Sequence, residues 1–279
     1  MRRATRQSLR TALGYGLVFI LVSSAVLVFL ERDRVRDIIA SVRAPRLPEE
    51  QGPFLTTPEP SLVITTPGVT FTPVATPTPV AEINLAVPFS SQAPHGNWEL
   101  PYQEACEEAS AMLVDAFWDE RPLSADAANA ELLAVVGWQQ QNFGYYFHTT
   151  AERTADILRR YYGYADVRVT YDITVDDIRR ELAAGRPVII PAAGRLLGNP
   201  NFTQPGPVYH MLVVKGFTAD GRFITNDVGT RKGHNYTYDE GTFMDAIHDV
   251  PSNGDAWPAG VDPAEYILTG RKAMVVVYP

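Results

Sequence analysis

Val208-Tyr209-His210-Met211-Leu212-Val213-Val214-Lys215-Gly216-Phe217, followed by Thr218-Ala219-Asp220-Gly221 and then Arg222-Phe223-Ile224-Thr225-Asn226-Asp227, reads as a β-hairpin. Its first arm is apolar and β-branched. The Asp220-Gly221 pair is a strong turn signal, and the second arm returns antiparallel to the first. His210 interrupts the apolar arm, and a polar ring buried in a strand has to find a partner. The return arm brings Asn226 and Asp227 toward its level. Side chains alternate across a strand, so only one of the two can reach the ring directly. The expectation is a contact through Nδ1 that fixes the imidazole tautomer.

Upstream lies the chain's single cysteine, Cys106, so no intramolecular disulfide can form. It opens an amphipathic segment in which Ala109, Met112, Leu113, Ala116 and Phe117 recur at helical spacing. Unpaired N–H groups at a helix start favour a thiolate. Glu104, Glu107 and Glu108 surround it and act the other way, because negative charge raises a thiol pKa. These acids are expected to stabilise the helix start and point to solvent. Of the other histidines, His95, His234 and His248 sit in polar or terminal positions, and His148 lies in an aromatic run with core packing as its default.

Four segments carry a family resemblance. They are Val87-Pro88-Phe89-Ser90-Ser91-Gln92, Cys106 with Ala109 and Ser110, Tyr209 to Phe217, and Thr225-Asn226-Asp227. In this order and spacing the chain resembles the C39-like branch of the papain-type cysteine peptidases, over roughly residues 84–230. The resemblance implies an α+β papain-like fold with N-terminal helices packed on an antiparallel sheet. It implies Cys106 as nucleophile, His210 as base, Asp227 as the third member with Asn226 as fallback, and Gln92 as oxyanion donor. Gln103 ranks second for that last role. Where the family often has Cys-Gly-Pro, this chain has Cys106-Glu107-Glu108. The implied substrate is a peptide or protein. A cell-wall amidase or transpeptidase using the same Cys-His pair, and a tethered binding domain without activity, are the alternatives.

Around this core the remaining periodicities predict helices over 124–136, 150–161, 174–184 and 240–248. They predict strands over 84–89, 167–171, 187–192, 236–238 and 272–278. Thr11–Leu30 is a run of 20 uncharged residues, long enough to span a bilayer core as a helix. Arg2, Arg3, Arg6 and Arg10 precede it, which favours a cytoplasmic N-terminus, while Arg32, Arg34 and Arg36 after it weaken that orientation; a cleavable signal peptide is the alternative to an anchor. The expected organisation is a cytoplasmic basic segment (1–10), a signal-anchor helix (11–30), a juxtamembrane and Pro/Thr-rich linker (31–82) and a peptidase domain (83–279). That places the protein in the cell membrane as a single-pass protein with its C-terminal domain outside the cytoplasm.

The chain carries a net charge of −8. Residues 1–43 hold eight Arg against three acids, so the rest carries −13. The net charge argues against a nucleic-acid surface, and the acidic body argues against binding to anionic lipid. No HExxH spacing and no glycine-rich phosphate loop is present, so neither metal nor cofactor is expected.

Overall fold

The computed structural model describes residues 46–53, 81–252 and 257–279. The expected span at 11–30 and most of the expected linker lie outside these residues. Among the described residues no helix is long and apolar enough to cross a membrane.

The apolar arm becomes strand β4, and it organises everything else. In chain order the strands are β1 (Ile83–Asn84), β2 (Asp166–Tyr171), β3 (Val188–Ala193), β4 (Tyr209–Phe217), β5 (Arg222–Asn226), β6 (Tyr236–Asp239) and β7 (Ala273–Tyr278). They form one antiparallel sheet ordered β2-β7-β3-β4-β5-β6, with β1 attached to the end of β4. All nine residues of β4 are buried, so both of its faces are covered. That explains a continuous apolar run in place of alternation. Two helices pack on it: α1 (Cys106–Trp118) and α4 (Val175–Ala183). The expected hairpin forms with Val213 opposite Asn226 and Phe217 opposite Phe223, and a bulge falls at Lys215.

Helices α2 (Ala125–Asn142) and α3 (Ala151–Arg160) pack on α1 and complete the helical layer. Ser124 and Thr150 cap them through their hydroxyls. Helix α2 runs six residues past the expected end at Val136, because no Gly or Pro stops it before Asn142 except the tolerated Gly137. Thr174 and Asp177 form a capping box at α4. Two short helices follow, α5 (Glu240–Ala246) and α6 (Pro263–Tyr266). The fold class is α+β, with helices laid on an antiparallel sheet.

Two boundaries differ from the sequence reading. The strand expected over 84–89 is only Ile83–Asn84. Beyond it Asn226 Nδ2 binds the carbonyls of Val87 and Pro88 at 2.9 and 3.2 Å, bending this stretch toward the site. The folded unit also begins at Pro48, not near Ile83. Gln51 pairs in parallel with Leu85, its N–H donating to Asn84 O at 2.8 Å. Asn84 Nδ2 donates to Pro48 O at 3.1 Å. This strap is clasped by Lys215, whose side chain is fully buried and whose Nζ donates to Glu50 Oε1. At the same place β1 crosses Gly216 so closely that a Cβ there would overlap the Ile83 carbonyl oxygen.

Candidate active site

Cys106 is the first residue of α1, and its preceding residue Ala105 offers no side-chain cap. In the first turn the backbone N–H groups of Glu107 and Glu108 act instead on those residues' own carboxyls. The side chain is 6% exposed and lines a cavity of about 490 Å³ together with Gln92, Glu107, His148, His210 and Trp257. The sheet brings His210 there, because it lies at the end of β4 that extends beyond the pairing with β5. The Met211 backbone N–H, next to His210 in β4, acts to lower the pKa of the thiol. Cys106 and His210 thus open onto one cavity from the helical and sheet layers.

Asp227 sits just past the end of β5, where His210 Nε2 meets its Oδ1 at 2.9 Å. The sequence reading expects this contact through Nδ1. The observed one uses the other ring nitrogen and leaves Nδ1 without Asp227. Asp227 is fully buried, and burial pushes its carboxyl up, but His210, Tyr238 and Asn199 more than offset this and hold it below its ordinary value. Tyr238 OH and Asn199 Nδ2 donate to its Oδ2 at 2.5 and 3.0 Å, and the Gly229 N–H donates to Oδ1 at 3.0 Å. Asn226 faces the other way, onto Val87 and Pro88. Of the two candidates, Asp227 is the one beside the ring. Gly229 also permits the approach of His210, since a Cβ there would stand 2.7 Å from the ring's Cε1.

Gln92 lines the same cavity, but its Nε2 donates to the carbonyls of Tyr102 and Gln103 at 2.8 and 3.0 Å. Both amide hydrogens are engaged in holding the turn (Tyr102–Glu104) that leads into α1. Its Oε1 has no partner among the described residues. The side chain of Gln103, also on the cavity wall, makes a 3.4 Å contact to Glu104 Oε1.

The acids beside Cys106 do not all point to solvent. Glu107 is 1% and Glu108 0% exposed. The Cys106 Sγ donates to Glu107 Oε2 at 3.0 Å, and the Thr149 N–H donates to Glu107 Oε1 at 2.9 Å. Glu108 accepts from Gln139 Nε2, and its second oxygen has no partner among the described residues. Burial pushes Glu107 up to about 7, and burial with the neighbouring Glu107 charge pushes Glu108 well above the carboxylate range. The thiol is pushed up too, first by burial and then by Glu107. The thiolate-favouring effect expected of the helix start is outweighed in this resting arrangement.

Sequence reasoning missed Asn199, Tyr238 and Glu107 as parts of the site. Tyr238 had a signal in its place on a strand next to β5. Asn199 lies in a loop and had none.

Among the described residues no cluster of His, Cys, Asp and Glu has metal-binding geometry. Residues 84–249 match the model of the Peptidase_C39 like family. A crystal structure of a protein from Bacillus anthracis described as a C39-like peptidase is similar at 13% identity, with a TM-score of 0.41, covering 71% of this chain and 98% of that one. No curated protein matches the chain.

Proposed function

Because this chain belongs to the C39-like peptidase family, we propose that it is a membrane-anchored, extracytoplasmic cysteine peptidase acting through Cys106, His210 and Asp227. The observation that carries this reading is the Asp227–His210 Nε2 contact. It fixes the ring and leaves Nδ1 as the base for a thiol on the same cavity wall. The Cys106 proton passes to Nδ1, and the sulfur attacks the carbonyl carbon. As the tetrahedral intermediate collapses, the imidazolium protonates the leaving amine and the C–N bond breaks. Water then hydrolyses the thioester with His210 again as base, releasing the acid and restoring the thiol. The Cys106 backbone N–H supports the oxyanion. Gln92 joins it by turning its amide away from the Tyr102 and Gln103 carbonyls, with Gln103 as second choice. The anchor rests on the uncharged run 11–30.

A specific observation favours a second reading. A carboxylate bonded to a buried thiol keeps the sulfur protonated, as in a binding domain that no longer turns over. The full chain, incubated with casein peptides and with purified peptidoglycan, distinguishes the readings. Peptide cleavage that falls by about 10³-fold or more in Cys106→Ala and His210→Ala supports the peptidase. Release of fragments from peptidoglycan alone makes it an amidase. Turnover of neither substrate leaves the binding domain.

A further inference from the structure

A second cavity, of about 690 Å³, adjoins the first: Trp98, Thr203 and Gly229 line both. Its far wall carries Arg231 and Lys232, both exposed. The net charge of the chain is −8, and several cations on the body sit on carboxylates while others, such as Arg222 and Lys272, bind hydroxyl or carbonyl oxygens. Arg121 bridges Asp115 and Glu131, Arg179 pairs with Glu240, and Arg271 with Asp172. Arg231 and Lys232 have no ion pair and no side-chain hydrogen bond among the described residues.

Their loop is nevertheless built firmly, and it is built onto Asp227. The Asp227 N–H donates to Gly233 O at 3.0 Å, closing the loop. The Gly229 N–H binds the Asp227 carboxylate, the Lys232 N–H binds Thr230 Oγ1 at 3.2 Å, and the Gln92 N–H binds Val228 O at 2.9 Å. Gly233 is packed so tightly on Asp227 that a Cβ would overlap the Asp227 carbonyl oxygen. The backbone that carries the two cations is therefore held at a set place relative to Asp227, the partner of His210. Glu104 and Glu107 line the first cavity with Cys106, and Arg231 and Lys232 line the second.

We infer that Arg231 and Lys232 form a subsite for a substrate carboxylate, either an Asp or Glu side chain or the C-terminal carboxylate of a peptide. This rests on the proposed peptidase reading and adds the substrate class. A guanidinium and an ammonium presented together on a preorganised loop bind a carboxylate by charge-assisted hydrogen bonds, and they reject the isosteric amide.

The test uses the full chain in detergent carrying Cys106→Ala, so that binding is read without turnover. Fluorescent peptides carry Glu, Gln or Lys at each position in turn, and each is made with a free or an amidated C-terminus. A carboxylate at one position should tighten binding about tenfold over the amide at low salt, and the gain should shrink as salt is raised. Arg231→Gln with Lys232→Gln should bring that ratio to about one, and Arg231→Glu with Lys232→Glu should favour Lys at the same position. The side-chain and C-terminal series show which carboxylate is bound. Equal binding of acid and amide peptides overturns the subsite. So does an acid preference that survives the double Gln variant, and so does no peptide binding at all. Acid-selective binding by a protein whose Cys106 form cleaves nothing would remove the peptidase reading and leave the subsite standing.

Discussion

The contact between Cys106 Sγ and Glu107 Oε2 favours a neutral thiol at Cys106. Ionised Glu107 opposes the thiolate, and glutamine in its place keeps the shape without the charge. Glu107→Gln should therefore lower the thiol pKa. Iodoacetamide alkylation at neutral pH should rise by about tenfold for every pH unit by which that pKa falls. An unchanged rate-versus-pH curve would mean that Glu107 is already neutral there. Asp227 and Asn226 should separate by readout. Asp227→Asn should lower kcat by about 10²-fold or more, because the ring loses its anionic partner at Nε2. Asn226→Ala leaves two carbonyls without a donor, so it should appear as about 1–3 kcal/mol of lost stability in chemical denaturation. Proximity to Cys106 was legible for all three glutamates, but the burial of Glu107 and Glu108 was not. Carboxylates are so rarely buried that the default reading sends them to solvent. Alternation along β5 narrows the choice between Asn226 and Asp227 to one, without saying which.

At the scale of elements, strand β4 and its hairpin were legible because the turn chemistry and the apolar run agree. The helix at Cys106 was legible because its period survives over three turns. The docking of β1 and the strap was not, because neither Ile83–Asn84 nor Pro48–Pro53 carries a period of its own. Their place depends on a small residue at 216 and a cation at 215 on another strand. Lys215 is buried, and burial lowers its pKa against the pull of Glu50. Its remaining partner is Asn235 Oδ1 at 2.8 Å. Glu50→Ala should cost about 1–3 kcal/mol by leaving the ammonium without its carboxylate. Adding Lys215→Met should recover most of that, since an apolar side chain has no charge to desolvate. A double-mutant cycle followed by urea unfolding measures the coupling, and additive losses would show that the clasp is inert.

Across the whole molecule, several buried carboxyls hold protons more tightly than they would in the unfolded chain. Glu107 is raised from 4.5 to about 7. Asp249, buried under Ala151, Tyr171 and Tyr209, is raised from 3.8 to about 6. Between about pH 4 and 7 the unfolded chain has released these protons while the native one keeps them, so stability falls as pH rises through that window. Asp227 has the opposite sign: its value lies below 3.8, so its contribution is lost only in stronger acid. The thermal midpoint of the full chain should be higher at pH 5 than at pH 7.5, and Glu107→Gln should narrow the gap. A midpoint that climbs from pH 5 to 7.5 would contradict the burial of these groups. The strap has a consequence for the same energy balance. Pro48 O, Glu50 and Gln51 are each bonded to the body, so the segment 48–53 belongs to the fold and not to the spacer. A protein begun at Ile83 would lose it and strand the buried Lys215 ammonium without its carboxylate.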